Sequence, residues 1–129
     1  MTSRARFSFI GRVRSFQHAF RGLLALVTSE HNAWIHAVAT VLVVAVGALL
    51  DIAPAEWALL ALAIAAVWTA EALNAAIERL GDAISEAPHS LVGTAKDLAA
   101  AGVLASAVGA GVVGLVVLGP RILDAIGVW

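Results

Sequence analysis

The chain contains no cysteine, which excludes disulfides and thiolate-held metals and leaves its redox compartment unreadable. Charge is scarce: Asp, Glu, Lys and Arg make up 13% of the residues. The net charge of −1 by itself selects no partner, and no nucleic-acid partner is expected. No glycine-rich phosphate loop of the Walker or kinase type is expected to operate here, so a conventional nucleotide-binding fold is excluded. No secretory signal is evident, because the N-terminus carries arginine throughout and lacks an uninterrupted apolar core before a small-residue cleavage site. What remains is hydrophobic: 61% of the 129 residues, with a mean hydropathy of +0.94. An ordinary soluble domain is about 45–50% apolar. The length fits one compact membrane domain with a few spans. A bundle this small buries little alone, so oligomerisation is expected on size grounds.

Four stretches organise the chain. In residues 6–29, Phe9, Val13, Phe16, Phe20, Leu24 and Val27 fall within about 60° of one line at 100° per residue. Arg14, His18 and Arg21 lie away from that line, which predicts an amphipathic helix lying in the membrane interface. Residues 33–50 are apolar apart from His36 and Thr40 and reach the lower limit for a span of about 30 Å. A short polar turn with Pro54 as breaker follows. Residues 57–80 form a second span, and residues 95–118 a third, whose apolar run from Leu98 carries no charge and which Gly119-Pro120 is expected to end. Gly and Ala in 102–114 allow close helix packing. The expected fold is therefore all-α: an interfacial helix and three transmembrane helices.

Arginine and lysine set the orientation. Arg4, Arg6, Arg12, Arg14 and Arg21 precede the first span, and Arg79 and Lys96 flank the loop between the second and third. The turn at 51–56 has no basic residue. The positive-inside rule then places the N-terminus and the 79–96 loop of a multi-pass protein in the cytoplasm.

Within the second span lie Glu71, Asn74 and Glu78, at i, i+3 and i+7 on one helix face. A charge at the bilayer centre costs roughly 2.5–3.5 kcal/mol on insertion scales, so these groups need partners or a task. Glu71 and Glu78 are about 10 Å apart along the axis, too far to chelate one ion in a straight helix. Two tasks follow, one deeper and one shallower. Ion pairing with a basic residue of another helix is the structural alternative for both. A hard cation such as Mg²⁺ needs a second carboxylate beside Glu78. Glu30, at the junction before the first span, is the candidate; the plain alternative is a solvated connector charge. Thr94-x-x-Asp97 reads as a capping box. Lys96 in a first helical turn opposes the macrodipole unless an anion sits there, and a helix start with a lysine suits phosphate. The alternative is a snorkelling lysine. Base, metal carboxylates and phosphate site at one membrane level are the parts of phosphoryl transfer from a nucleotide to a lipid hydroxyl. The competing reading is a small ion or proton pathway, which also uses intramembrane carboxylates. It needs carboxylates across the whole bilayer, and the outer halves of the spans have none.

The segment Glu71-Ala72-Leu73-Asn74-Ala75-Ala76-Ile77-Glu78, followed by Asp82, His89 and Ala95-Lys96-Asp97, closely resembles the signature of the small prokaryotic diacylglycerol kinase family. Ser15-Phe16-Gln17-His18-Ala19-Phe20-Arg21-Gly22-Leu23 and Glu30-x-Asn32-x-x-x-His36 extend the resemblance upstream. It implies a homotrimeric lipid kinase of a prokaryotic inner membrane that uses MgATP, with active sites shared between neighbours. By position, Glu71 is similar to the family's catalytic base and lipid contact, supported by Asn74. Glu30 and Glu78 match the metal carboxylates, which also meet the nucleotide. Lys96 and Asp97 match nucleotide contacts, Lys96 on the phosphates, with Asp82 and His89 bordering them. His18 stands at a nucleotide-contact position where the family usually has Tyr, and Glu86 lies one place earlier than the usual acid. Asn32 and His36 resemble the branch that favours undecaprenol over diacylglycerol.

Overall fold

A computed structural model describes residues 8–84 and 90–128; Arg4, Arg6, Glu86 and His89 lie outside them. The described residues form four helices and no strand: α1 (Phe9–Ser29), α2 (His31–Leu49), α3 (Pro54–Ile84) and α4 (Ser90–Ala125). The last three are long and apolar enough to cross a membrane.

Local chemistry explains most of the boundaries. Ser8 caps α1 by accepting from the Gly11 N–H at 3.2 Å. A single extended residue, Glu30 (φ −102°, ψ 122°), separates α1 from α2. α2 closes with Asp51 in the left-handed region (φ 48°) and the Ile52 N–H bonding back to the Gly47 carbonyl at 3.4 Å. Gly47 keeps the approach close there: a Cβ would lie 3.0 Å from the Trp57 ring and 3.2 Å from Ile52 Cδ1. Pro54 opens α3, where its missing N–H costs nothing. Glu56 reaches back to accept from the Ala53 N–H at 2.7 Å.

Two helices run past the expected spans. At 1.5 Å per residue, α3 is about 46 Å long and α4 about 54 Å, against about 30 Å of hydrocarbon. Pro120 does not end α4, which continues to Ala125. Val117 and Leu118 are buried just before it, and Arg121 just after it is clamped to Glu56, so the last turns stay docked on α3. Gly109, Gly111 and Gly114 spell G-x-G-x-x-G, yet they lie inside α4 and form no phosphate loop.

α3 and α4 share the most extensive contact of the bundle. Lipid tails are as apolar as leucine, so such packing depends on close approach more than on burial from water. Ala63 and Ala66 of α3 face Ser106, Gly109 and Ala110 of α4 along one shared groove. Buried side chains gather at two ends. Ile52, Leu60, Val117 and Leu118 pack at the α2–α3 turn. Leu26, Ala33 and Ala75, with Trp68 against them, pack at the α1–α2 hinge. A groove of about 610 Å³ opens between α2, α3 and α4, lined almost wholly by apolar side chains. Most of α1 is uncovered: Phe9, Phe16, Phe20 and Leu24 are all exposed.

Candidate active site

The hinge cluster packs Leu26 and Ala33, on either side of Glu30, against Ala75 and Trp68 of α3. Trp68 sets the rotation of α2: its indole N–H donates to the Thr40 hydroxyl at 3.1 Å, and that hydroxyl donates to the His36 carbonyl at 2.7 Å. His36 consequently faces α3, with Nε2 3.7 Å from Glu71 Oε2.

Glu71 is 1% exposed and Asn74 is 6% exposed. The Asn74 amide donates to Glu78 Oε1 at 2.9 Å. Glu71 Oε2 and Asn74 Oδ1 have no hydrogen-bond partner among the described residues. An orphaned buried acceptor costs about 1–3 kcal/mol, so each marks bonding capacity held open for another molecule.

Glu30 is engaged. Its Oε1 accepts from Arg79 Nη2 at 2.8 Å, and the same nitrogen donates to the Ser29 hydroxyl at 2.6 Å. Arg79 directly follows Glu78, so this bond brings Glu30 to the turn of α3 that carries Glu78. The pair is partly solvated and therefore weakly held. Among the described residues no three His, Cys, Asp or Glu are grouped as a ready metal site. Two carboxylates nevertheless suit Mg²⁺, which takes one or two of them when phosphate and water complete its shell.

The capping box expected at Thr94–Asp97 does not form. α4 is already helical at Ser90, and the Thr94 hydroxyl donates to the Ser90 carbonyl at 2.9 Å. Lys96 thus sits in the second turn, and the macrodipole argument for an anion there lapses. Instead its Nζ pairs with Asp82 Oδ1 at 2.5 Å. The lysine stem crosses α3 at Gly81, where a Cβ would lie 2.8 Å from Lys96 Cε and 2.9 Å from Val92 Cγ1. Asp97 is exposed beside this pair. His18 is not gathered in: it lies 12 residues before Glu30, about 18 Å of helix away.

Three contributors were not among the residues that sequence reasoning selected for the site. His36 carried a signal, being four residues from Thr40 in an otherwise apolar run. Arg79 stood beside Glu78, and Gly81 beside Asp82; neither position by itself shows what it touches.

A family model described as prokaryotic diacylglycerol kinase matches residues 17–118. That range holds His18, Glu30, His36, Glu71, Asn74, Glu78, Asp82, Lys96 and Asp97. The chain is 36% identical over 109 residues to a Bacillus subtilis protein named undecaprenol kinase, covering 84% of this chain and 89% of that one. It is 34% identical over 111 residues to a Synechocystis protein named diacylglycerol kinase, covering 85% of this chain and 63% of that one. The match runs through the hinge, the buried carboxylate and all three apolar helices, and the chain belongs to the prokaryotic diacylglycerol kinase family as a multi-pass membrane lipid kinase.

Proposed function

We propose that the protein transfers the γ-phosphoryl group of MgATP to the hydroxyl of a membrane lipid, undecaprenol or diacylglycerol with the polyprenol favoured, and that Glu71 is the base. The buried, unpartnered Oε2 of Glu71 carries this reading. The lipid hydroxyl gives its proton to that oxygen as its own oxygen attacks the γ-phosphorus, and the bond to ADP breaks. Asn74, one turn from Glu71, supports it, and its amide holds Glu78. Glu30 and Glu78 would hold Mg²⁺, which supplies charge neutralisation on the transferring phosphoryl group. Lys96 exchanges the exposed Asp82 for nucleotide phosphate, with Asp82, Asp97, His89 and His18 around the nucleotide.

The groove supports the lipid preference. Its polar lining residues are His36 and Thr40, and the Thr40 hydroxyl already donates to His36 and accepts from Trp68. An ester carbonyl would be left with little to bond, whereas a polyprenyl chain needs nothing. The working form in this proposal is a homotrimer in the inner membrane with its N-terminus cytoplasmic and α1 on the membrane surface. The uncovered apolar side of α1 and the separation of His18 from Glu30 within one chain both suit shared sites. The test is transfer of radiolabel from ATP to undecaprenol and diacylglycerol, assayed side by side with purified protein and Mg²⁺. Labelling of neither lipid overturns the reading; stronger labelling of diacylglycerol overturns the preference.

A further inference from the structure

The apolar groove and the buried carboxylate have one polar side chain in common. His36 lines the groove, and its Nε2 lies 3.7 Å from Glu71 Oε2. That gap is too wide for a direct hydrogen bond. Glu71 Oε2 has no hydrogen-bond partner among the described residues, and Glu71 is 1% exposed. A single oxygen placed to one side of the line between them can bond to both. The helix that carries the ring is fixed at this level: Trp68 of α3 donates to Thr40, one turn along α2 from His36.

We propose that His36 is a second residue on the acceptor hydroxyl. This rests on the lipid-kinase reading above and adds a contact to it. Nε2–H donates to the hydroxyl oxygen while the hydroxyl proton points at Glu71 Oε2. One lone pair of that oxygen is then occupied by His36, and the other is left to attack phosphorus. In the transfer step the O–P bond to the lipid forms, the O–P bond to ADP breaks, and the proton moves to Glu71. His36 keeps its proton throughout. Its work is orientation, which in an apolar groove nothing else on the wall supplies. The nucleotide end of the site, at Lys96 and Asp82, lies on the far side of Glu78 and does not touch His36.

The experiment compares His36→Ala, His36→Gln and His36→Asn with the wild type, reading kcat and KM for the lipid and for MgATP, and MgATP binding by the purified variants. His36→Ala is expected to lower kcat/KM for the lipid about tenfold, the loss of one well-placed hydrogen bond, with KM for MgATP unchanged. His36→Gln, which restores an N–H near the Nε2 position, is expected to recover most of the loss; the shorter His36→Asn is not. Full activity in His36→Ala overturns the proposal. So does an equal loss in the Gln and Asn variants, or a loss that raises both KM values together, since packing damage would do that. Should His36→Ala no longer bind MgATP, the Gln–Asn difference decides. A wild type that labels no lipid removes the kinase reading and this contact with it. An active wild type with an indifferent His36 removes only the contact.

Discussion

Glu56 and Glu71 sit on one helix, 15 residues or about 22 Å apart, and the fold treats them in opposite ways. Glu56, in the first turn of α3, is saturated: its carboxylate accepts from the Ala53 N–H and from Arg121 through both Nη2 (2.9 Å) and Nε (3.3 Å). Around it Gly47, Ile52 and Trp57 close the turn tightly. Glu71 is far more deeply buried, yet one oxygen bonds to nothing among the described residues. Free acceptor capacity is most costly where water is excluded. The fold satisfies the more solvated carboxylate and leaves the buried one open, which suits the second to the base role proposed above. The turn end is a fastening, and the hinge end is the proposed site.

That contrast can be broken by mutation. The largest effect is expected from Glu71→Gln, which keeps shape but cannot take a proton. Transfer should fall by about 10²- to 10⁴-fold, the range of general-base catalysis, while the purified oligomer keeps its size in gel filtration. Retained turnover would remove Glu71 from the base role. Next comes Gly81→Val. Its side chain would collide with Val92 and the Lys96 stem, so KM for MgATP should rise several-fold while KM for the lipid stays put. Nucleotide titrations at fixed lipid would show it. Smaller still is Trp68→Phe, which removes the N–H that holds Thr40. Thermal unfolding in detergent should report a loss of about 0.6 kcal/mol, typical of a hydrogen bond between membrane helices. Least of all should be Glu56→Gln. Its partner Arg121 is partly exposed, and such pairs are worth about 0–1 kcal/mol, so lipid labelling should match the wild type. An inactive Glu56→Gln would mean that the turn end is more than a fastening.

Much of this was readable before any coordinates. The 3.6-residue period of α1, the apolar runs and the Glu71–Asn74–Glu78 face follow from residue order alone, since they depend only on helical geometry. The motif from Glu71 to Asp97 was specific enough to name the family. Helix ends were less legible. α4 holds through Pro120 and reaches back to Ser90 because side chains at Leu118, Arg121 and Lys96 dock onto α3, and local propensity says nothing of that docking. Partners were least legible. Arg79 read as a loop cation with an orientation signal, and in the fold it holds Glu30 from 49 positions away in the chain.

By itself, then, the sequence determined the class of the protein, its three apolar helices and the residues proposed to carry phosphoryl transfer. Composition and spacing act within a single helix, where 1.5 Å and 100° per residue leave no freedom. Tertiary structure alone decided which of those residues meet. The rotation of α2 that turns His36 to Glu71, the lysine stem laid across Gly81 and the open oxygen at the hinge all depend on how one helix sits against another. Small residues and a few interhelical hydrogen bonds set that fit, because lipid offers no hydrophobic drive to do so.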